Sequence, residues 1–90
     1  MYYFYIHYSS KADKYYIGHT SDIEGRLRRH NTDHKGFTGK FDDWRTKYIE
    51  AYATKEDAYA REREVKSWKN RRMLKRLIQD TGQSTGEGEN

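Results

Sequence analysis

The chain contains no cysteine and no proline. The first absence excludes disulfide partners and thiolate metal sites. Apolar residues are scarce, at 33% of the 90 positions. No apolar run approaches the ~20 residues of a membrane span, so no membrane partner is expected. The N-terminus shows no basic segment followed by a long apolar stretch, the pattern of a signal peptide. A cytoplasmic location is therefore the expectation. Low hydrophobicity of this degree leans toward disorder. The aromatics oppose it, with nine Tyr, three Phe and two Trp, many of them in strand-like runs. The core is expected to be built from rings more than from Leu and Val.

Ninety residues make one domain. Residues 1–80 read as that domain. From Thr81 the composition turns to Gly, Ser, Thr, Glu and Asn, which predicts a disordered tail over residues 81–90. Net charge is only +4, but it is unevenly spread. Residues 23–40 carry +3 and residues 61–76 carry +6, and these are the two most helix-like regions. Such a distribution suits a polyanion such as nucleic acid. The plainer alternative is a pair of solvated helix faces.

Tyr2 to Tyr8 is nearly all aromatic or β-branched and predicts a first strand. A polar turn, Ser9 to Asp13, leads to a second strand over Lys14–Gly18. The short connection predicts an antiparallel hairpin. Gly18 ends the strand, which implies either a positive φ or a close approach to its backbone. Thr20, Ser21 and Asp22 are acceptable caps for a helix opening at Ile23. On that helix Ile23, Leu27 and His30 share a face bordered by Arg26, while Arg28 and Arg29 point to solvent. Asn31 to Asp43 has no period and reads as a long loop. Lys47 to Ala53 is the expected third strand. Thr54, with Asp57 three residues on, predicts a capped helix running to about Trp68. Its inner side carries Ala58, Glu62 and Val65, with Glu64 on the opposite, solvent side. Asn70 interrupts the helix, and Arg71 to Gln79 forms another amphipathic stretch.

Several spacings stand out together. Tyr5 precedes Tyr16 by eleven residues, Tyr16-Ile17-Gly18 follows, Arg26 comes ten after that tyrosine, and His30 four after the arginine. Much later stands Arg61-Glu62, then Val65-Lys66 and a basic stretch ending Leu77-Ile78. Over residues 2–78 this pattern resembles the GIY-YIG endonuclease superfamily. It is similar to the small stand-alone bacterial members related to the nuclease domain of the excinuclease C subunit. Tyr3-Phe4-Tyr5 stands where Gly-Ile-Tyr would be, and only the tyrosine is kept. His7 and His19 receive no role from the resemblance.

The resemblance implies an α/β domain, a three-stranded antiparallel sheet flanked by helices. It implies metal-dependent phosphodiester hydrolysis, with a role in DNA repair or recombination. It assigns the site to Tyr5, Tyr16, Arg26, His30 and Glu62, with Glu62 holding one Mg²⁺ or Mn²⁺ ion. Arg28, Arg29, Lys35, Lys40, Lys66, Lys69, Arg71 and Arg72 are the candidate nucleic-acid contacts. Each residue taken singly has a plainer explanation. A strand tyrosine is more often core than catalytic, and Glu62 beside Lys66 fits a simple helix ion pair. The joint spacing is what favours chemistry.

That chemistry needs these residue types. Charge grows on the phosphoryl oxygens in the transition state, and Arg26 supplies an always-protonated donor. Mg²⁺ keeps several waters and needs only one or two carboxylates, so a single Glu62 suffices. Tyr5 or His30 takes a proton from water. Free tyrosine has a pKa of about 10 and is a poor base, so Arg26 and the metal are expected to lower it. His30, unperturbed near 6.5, is the rival base, or else positions Tyr5 or the substrate phosphate. The expected substrate is DNA, with RNA an alternative. With so short a chain, specificity is expected to be low, structure-selective, or supplied by a protein partner. The alternative function is a non-catalytic nucleic-acid-binding module on the same fold. A third is a protein-interaction domain that presents its basic helix to an acidic partner.

Overall fold

The computed structural model describes residues 1–32 and 41–84, with side chains as far as Asp80. The elements run β1 (Tyr2–Ser9), β2 (Lys14–Thr20), α1 (Ile23–Thr32), β3 (Trp44–Tyr52), α2 (Lys55–Trp68) and α3 (Arg71–Ser84). The three strands form one antiparallel sheet in the order β2-β1-β3. The expected α/β architecture is therefore present. The β1–β2 hairpin places Tyr5 opposite Gly18 and Ile6 opposite Ile17. Its turn contains Asp13 at φ 53°, a left-handed conformation that Asp tolerates better than most residues. Among the described residues no helix is long and apolar enough to cross a membrane.

Local chemistry sets the helix ends. Asp22 caps α1, its Oδ1 accepting from the Gly25 amide at 3.0 Å. Thr54 caps α2 by accepting from the Asp57 amide at 3.2 Å. Lys69 closes α2 in the left-handed region at φ 48°. Asn70 then caps α3, accepting from the amides of Arg72 and Met73. The break at Asn70 therefore separates two capped helices. α3 continues to Ser84, past the expected start of the tail at Thr81. Extending an existing helix by one turn costs little, even through weak helix formers. Residues 85–90 lie outside the described residues.

β3 begins at Trp44, three residues before the expected strand, and ends at Tyr52. Asn31 explains the early start. Its side chain donates to the Trp44 carbonyl (3.2 Å) and accepts from the Trp44 amide (2.8 Å). This pins the end of α1 to the beginning of β3. Asn31 and Thr32 thus belong to a helix rather than to the expected loop, whose residues 33–40 lie outside the described residues. A register shift sits between Ile6, paired with Tyr48, and His7, paired with Thr46. Lys47 is the extra residue of this bulge, and it reverses the facing of the strand. Tyr48 therefore packs on Phe4 (ring centroids 6.1 Å apart), whereas Trp44 packs on the other face against Tyr16 and His30.

The sheet thus carries two cores. Under α2 and α3, buried Phe4, Ile6, Tyr48 and Val65 form the first, flanked by Ile17, Trp68, Leu74 and Leu77. Arg61 of α2 enters this face with its guanidinium 5.8 Å from the Phe4 ring centroid and 5.7 Å from that of Trp68. It donates to both oxygens of Glu50, at 3.0 and 3.1 Å, and Tyr48 and Tyr52 donate to the same carboxylate. Burial alone would raise the Glu50 pKa, but these hydrogen bonds outweigh it and hold the group below its usual value.

Glu50→Gln should therefore leave Arg61 without its counter-charge. We expect a loss of about 2–3 kcal/mol in urea unfolding at neutral pH, somewhat less than for a fully buried pair. Glu50 is more acidic folded than unfolded, so its contribution is present at neutral pH and fades as pH falls toward the folded value. The variant should lack that part of the acid sensitivity. Unchanged stability would show that the network is not what fixes α2.

Candidate active site

Side chains from four elements meet in a cleft of about 410 Å³ where β2 ends, at the sheet edge. β1 contributes Tyr5, β2 contributes Tyr16, Gly18 and His19, α1 contributes Arg26, and α2 contributes Lys55 and Glu62. Gly18 is needed for close approach, and its φ is not in the left-handed region. A Cβ there would lie 2.5 Å from the Tyr5 hydroxyl oxygen and 2.8 Å from Cζ. Tyr5 is 1% exposed, and its ring lies nearly parallel to Tyr16, 6.4 Å between centroids.

The Tyr5 pKa runs against expectation. Burial raises it, and the nearby Arg26 charge, which lowers it, is the weaker influence. Tyr16 and Glu62 add to the rise. Tyr5 is therefore a protonated phenol at neutral pH, suited to donating a hydrogen bond.

His30 is brought to the same cluster but not to the cleft lining. It is 5% exposed and packs edge-on against Tyr16, ring centroids 4.5 Å apart. Its Nδ1 lies 2.9 Å from Nδ1 of His7, which is fully buried and whose ring sits 4.2 Å from that of Tyr5. Burial, then Arg26 and Arg29, lowers the His30 pKa to about 4. Burial, then His30 and Arg26, lowers that of His7 to about 3. Both rings are neutral at pH 7, so one donates and the other accepts. The remaining His7 nitrogen, Nε2, is buried with no partner among the described residues.

Glu62 is 9% exposed on the inner side of α2, and the Glu64 side chain is 60% exposed. Both Glu62 oxygens are engaged. Oε1 lies 2.6 Å from His19 Nδ1, and Oε2 accepts from Lys66 Nζ at 2.7 Å. Glu62 is the only carboxylate lining the cleft among the described residues. No group of three or more His, Cys, Asp or Glu assembles a metal cage among them. A hard divalent cation that keeps its waters and shares the substrate phosphate fits such a donor set. Glu62 already holds one cation, the ammonium of Lys66, whose side chain is half exposed.

The candidate nucleic-acid contacts divide. Exposed Arg28 and Arg29 line a second groove that shares Arg26 and Thr20 with the cleft. Lys66 is committed to Glu62. Arg71 pairs with Asp13 and lies 5.1 Å from the Tyr15 ring centroid, tying α3 to the hairpin turn. Arg72 lines a shallow groove with Lys75 and Arg76 that shares no residue with the cleft. Lys69 is the exposed cap of α2. Lys35 and Lys40 lie outside the described residues. His7, His19 and Lys55 were not singled out by sequence. A signal for His19 existed: it alternates with Gly18 toward the side of Ile17, the side on which α2 packs.

The chain matches the GIY-YIG catalytic domain over residues 1–76. No curated protein and no solved structure matches it.

Two outcomes follow from this geometry. Folded His7 and His30 titrate below the unfolded value of about 6.5, so the unfolded chain binds more protons. Stability should be full above pH 6.5 and fall as pH drops toward about 4, the folded His30 value. Urea unfolding across that window should show a shallower fall for His30→Gln, and an unaltered fall would refute the buried neutral pair. Gly18→Ala should cost about 1–3 kcal/mol by displacing the Tyr5 ring. A neutral effect would mean that Tyr5 does not rest on Gly18.

Proposed function

Because the chain belongs to the GIY-YIG catalytic domain family, a family of nucleases, we propose that it is a metal-dependent endonuclease hydrolysing DNA with little sequence preference. The observation carrying this reading is the convergence of Tyr5, Tyr16, Arg26 and Glu62 on one cleft beside an arginine-lined groove. Arg26 donates to the phosphoryl oxygens as their charge grows. Tyr5, held as a phenol, donates from the floor of the cleft and orients the phosphate, with Tyr16 beside it. His30 acts through the tyrosines as a positioning residue, because it lies behind Tyr16. Glu62 would hold the Mg²⁺ or Mn²⁺ ion, at the oxygens now engaged by His19 and Lys66. When bound, that ion would supply positive charge against the phosphate. Arg28 and Arg29 hold the flanking backbone without reading bases.

The decisive comparison is Glu62→Gln against Glu64→Gln. Cutting of plasmid or branched DNA should fall at least a hundredfold for Glu62→Gln, roughly 3 kcal/mol of barrier. DNA binding should persist or strengthen, since a negative charge leaves a basic surface. Glu64→Gln, which loses only a surface contact to Arg61 (3.1 Å), should cut normally. Equal cutting by both variants would remove Glu62 from the chemistry. Binding without cutting by the unmutated chain, with either metal, would leave the non-catalytic module.

A further inference from the structure

α2 carries one feature that the cleft does not use. Tyr59 is 47% exposed and is the only exposed aromatic side chain among the described residues. It stands four residues after Lys55 and three before Glu62, so all three rise along neighbouring strips of the helix. Its ring centroid lies 5.2 Å from that of His19, tilted by 50°. The Arg63 guanidinium lies 5.7 Å from the Tyr59 centroid. Tyr59 borders a second recess of about 410 Å³, lined with His19, Lys55 and Glu56. His19 and Lys55 also line the cleft, so the two hollows are contiguous.

An exposed ring is an apolar surface left to water, here flanked by two cations and opening onto a site for phosphates. One chemistry satisfies all of these features. A nucleobase stacks on aromatic faces, while its phosphates seek Lys and Arg. Glu56 at the rim is the one acidic group and disfavours a bare phosphate in the recess itself. A base inside a duplex is stacked on both sides and paired at its edge, so it offers no free face.

We propose that Tyr59, with His19 and Lys55, is a stacking subsite for one unpaired nucleobase adjacent to the scissile phosphate. The proposal rests on the nuclease reading and adds a substrate class to it, strands with an unpaired nucleotide beside the cut. Lys55 spans cleft and recess and meets the phosphate between the two positions.

The test uses the full chain in the Glu62→Gln background, so that substrates remain intact. Affinities are measured for a short single-stranded DNA and for its perfect duplex. Tyr59→Ala should weaken single-strand binding roughly 5- to 100-fold and leave duplex binding unchanged. Tyr59→Phe should bind as Tyr does. A single abasic position in the oligonucleotide should reproduce the loss, and Tyr59→Ala should add nothing to it. Equal losses on both DNAs, no loss, or equal losses for Ala and Phe would overturn the subsite. If the chain cuts DNA and Tyr59→Ala binds single strands normally, the subsite alone fails. If the unmutated chain binds no nucleic acid, the nuclease reading fails with it.

Discussion

The Tyr5 ring resting on Gly18 is the contact on which the site depends. Antiparallel register sets the two residues opposite one another, and the missing Cβ lets the phenol lie flat on the neighbouring strand. Tyr16 stacks beside it, and His30 and His7 close in behind. The packing that aims the hydroxyl also buries the ring, and burial makes the phenol less acidic. Position and acidity are thus in opposition at Tyr5. Any proton transfer there must draw on positive charge brought into the cleft, beyond what Arg26 provides.

The other wall depends on a different constraint. Glu50 collects Arg61, Tyr48 and Tyr52, and Arg61 is held between Phe4 and Trp68. This fixes the roll of α2 on the sheet. With that roll set, Ala58, Glu62 and Val65 face inward, and Tyr59 and Glu64 do not. His19 then meets Glu62 from the strand side. The roll of the helix that carries Glu62 is thus set by residues that do not line the cleft.

Much of this was legible in the sequence, and the failures have physical reasons. The hairpin, the caps at Asp22 and Thr54, the break at Asn70, and the inward turn of Glu62 all follow from local pattern. Each is decided within a few residues. The partners of His7 and His19 are 23 and 43 residues away in sequence, so their roles are tertiary. Spacing brought His30 to the right helix face but could not distinguish a ring in the cleft from one behind it. The direction of the Tyr5 shift was missed because sequence shows the neighbouring arginine and hides the depth of burial. The early start of β3 was missed because one side chain, Asn31, supplies the pairing that anchors it.

The extra residue at Lys47 acts as a phase shift in an otherwise regular strand. On either side of it, residues of the same parity serve opposite faces, Tyr48 the core under α2 and Trp44 the histidine cluster. An uninterrupted alternation in the letters therefore encodes two separate interiors. The length of β3 consequently carries as much information as its composition. A relative one residue shorter here would lose the bulge, and its tryptophan, still paired opposite Ser9, would keep facing His30. Loss of the bulge at unchanged length would instead turn Trp44 to the face of Tyr48, rebuilding the back wall of the cleft without changing a residue that lines it.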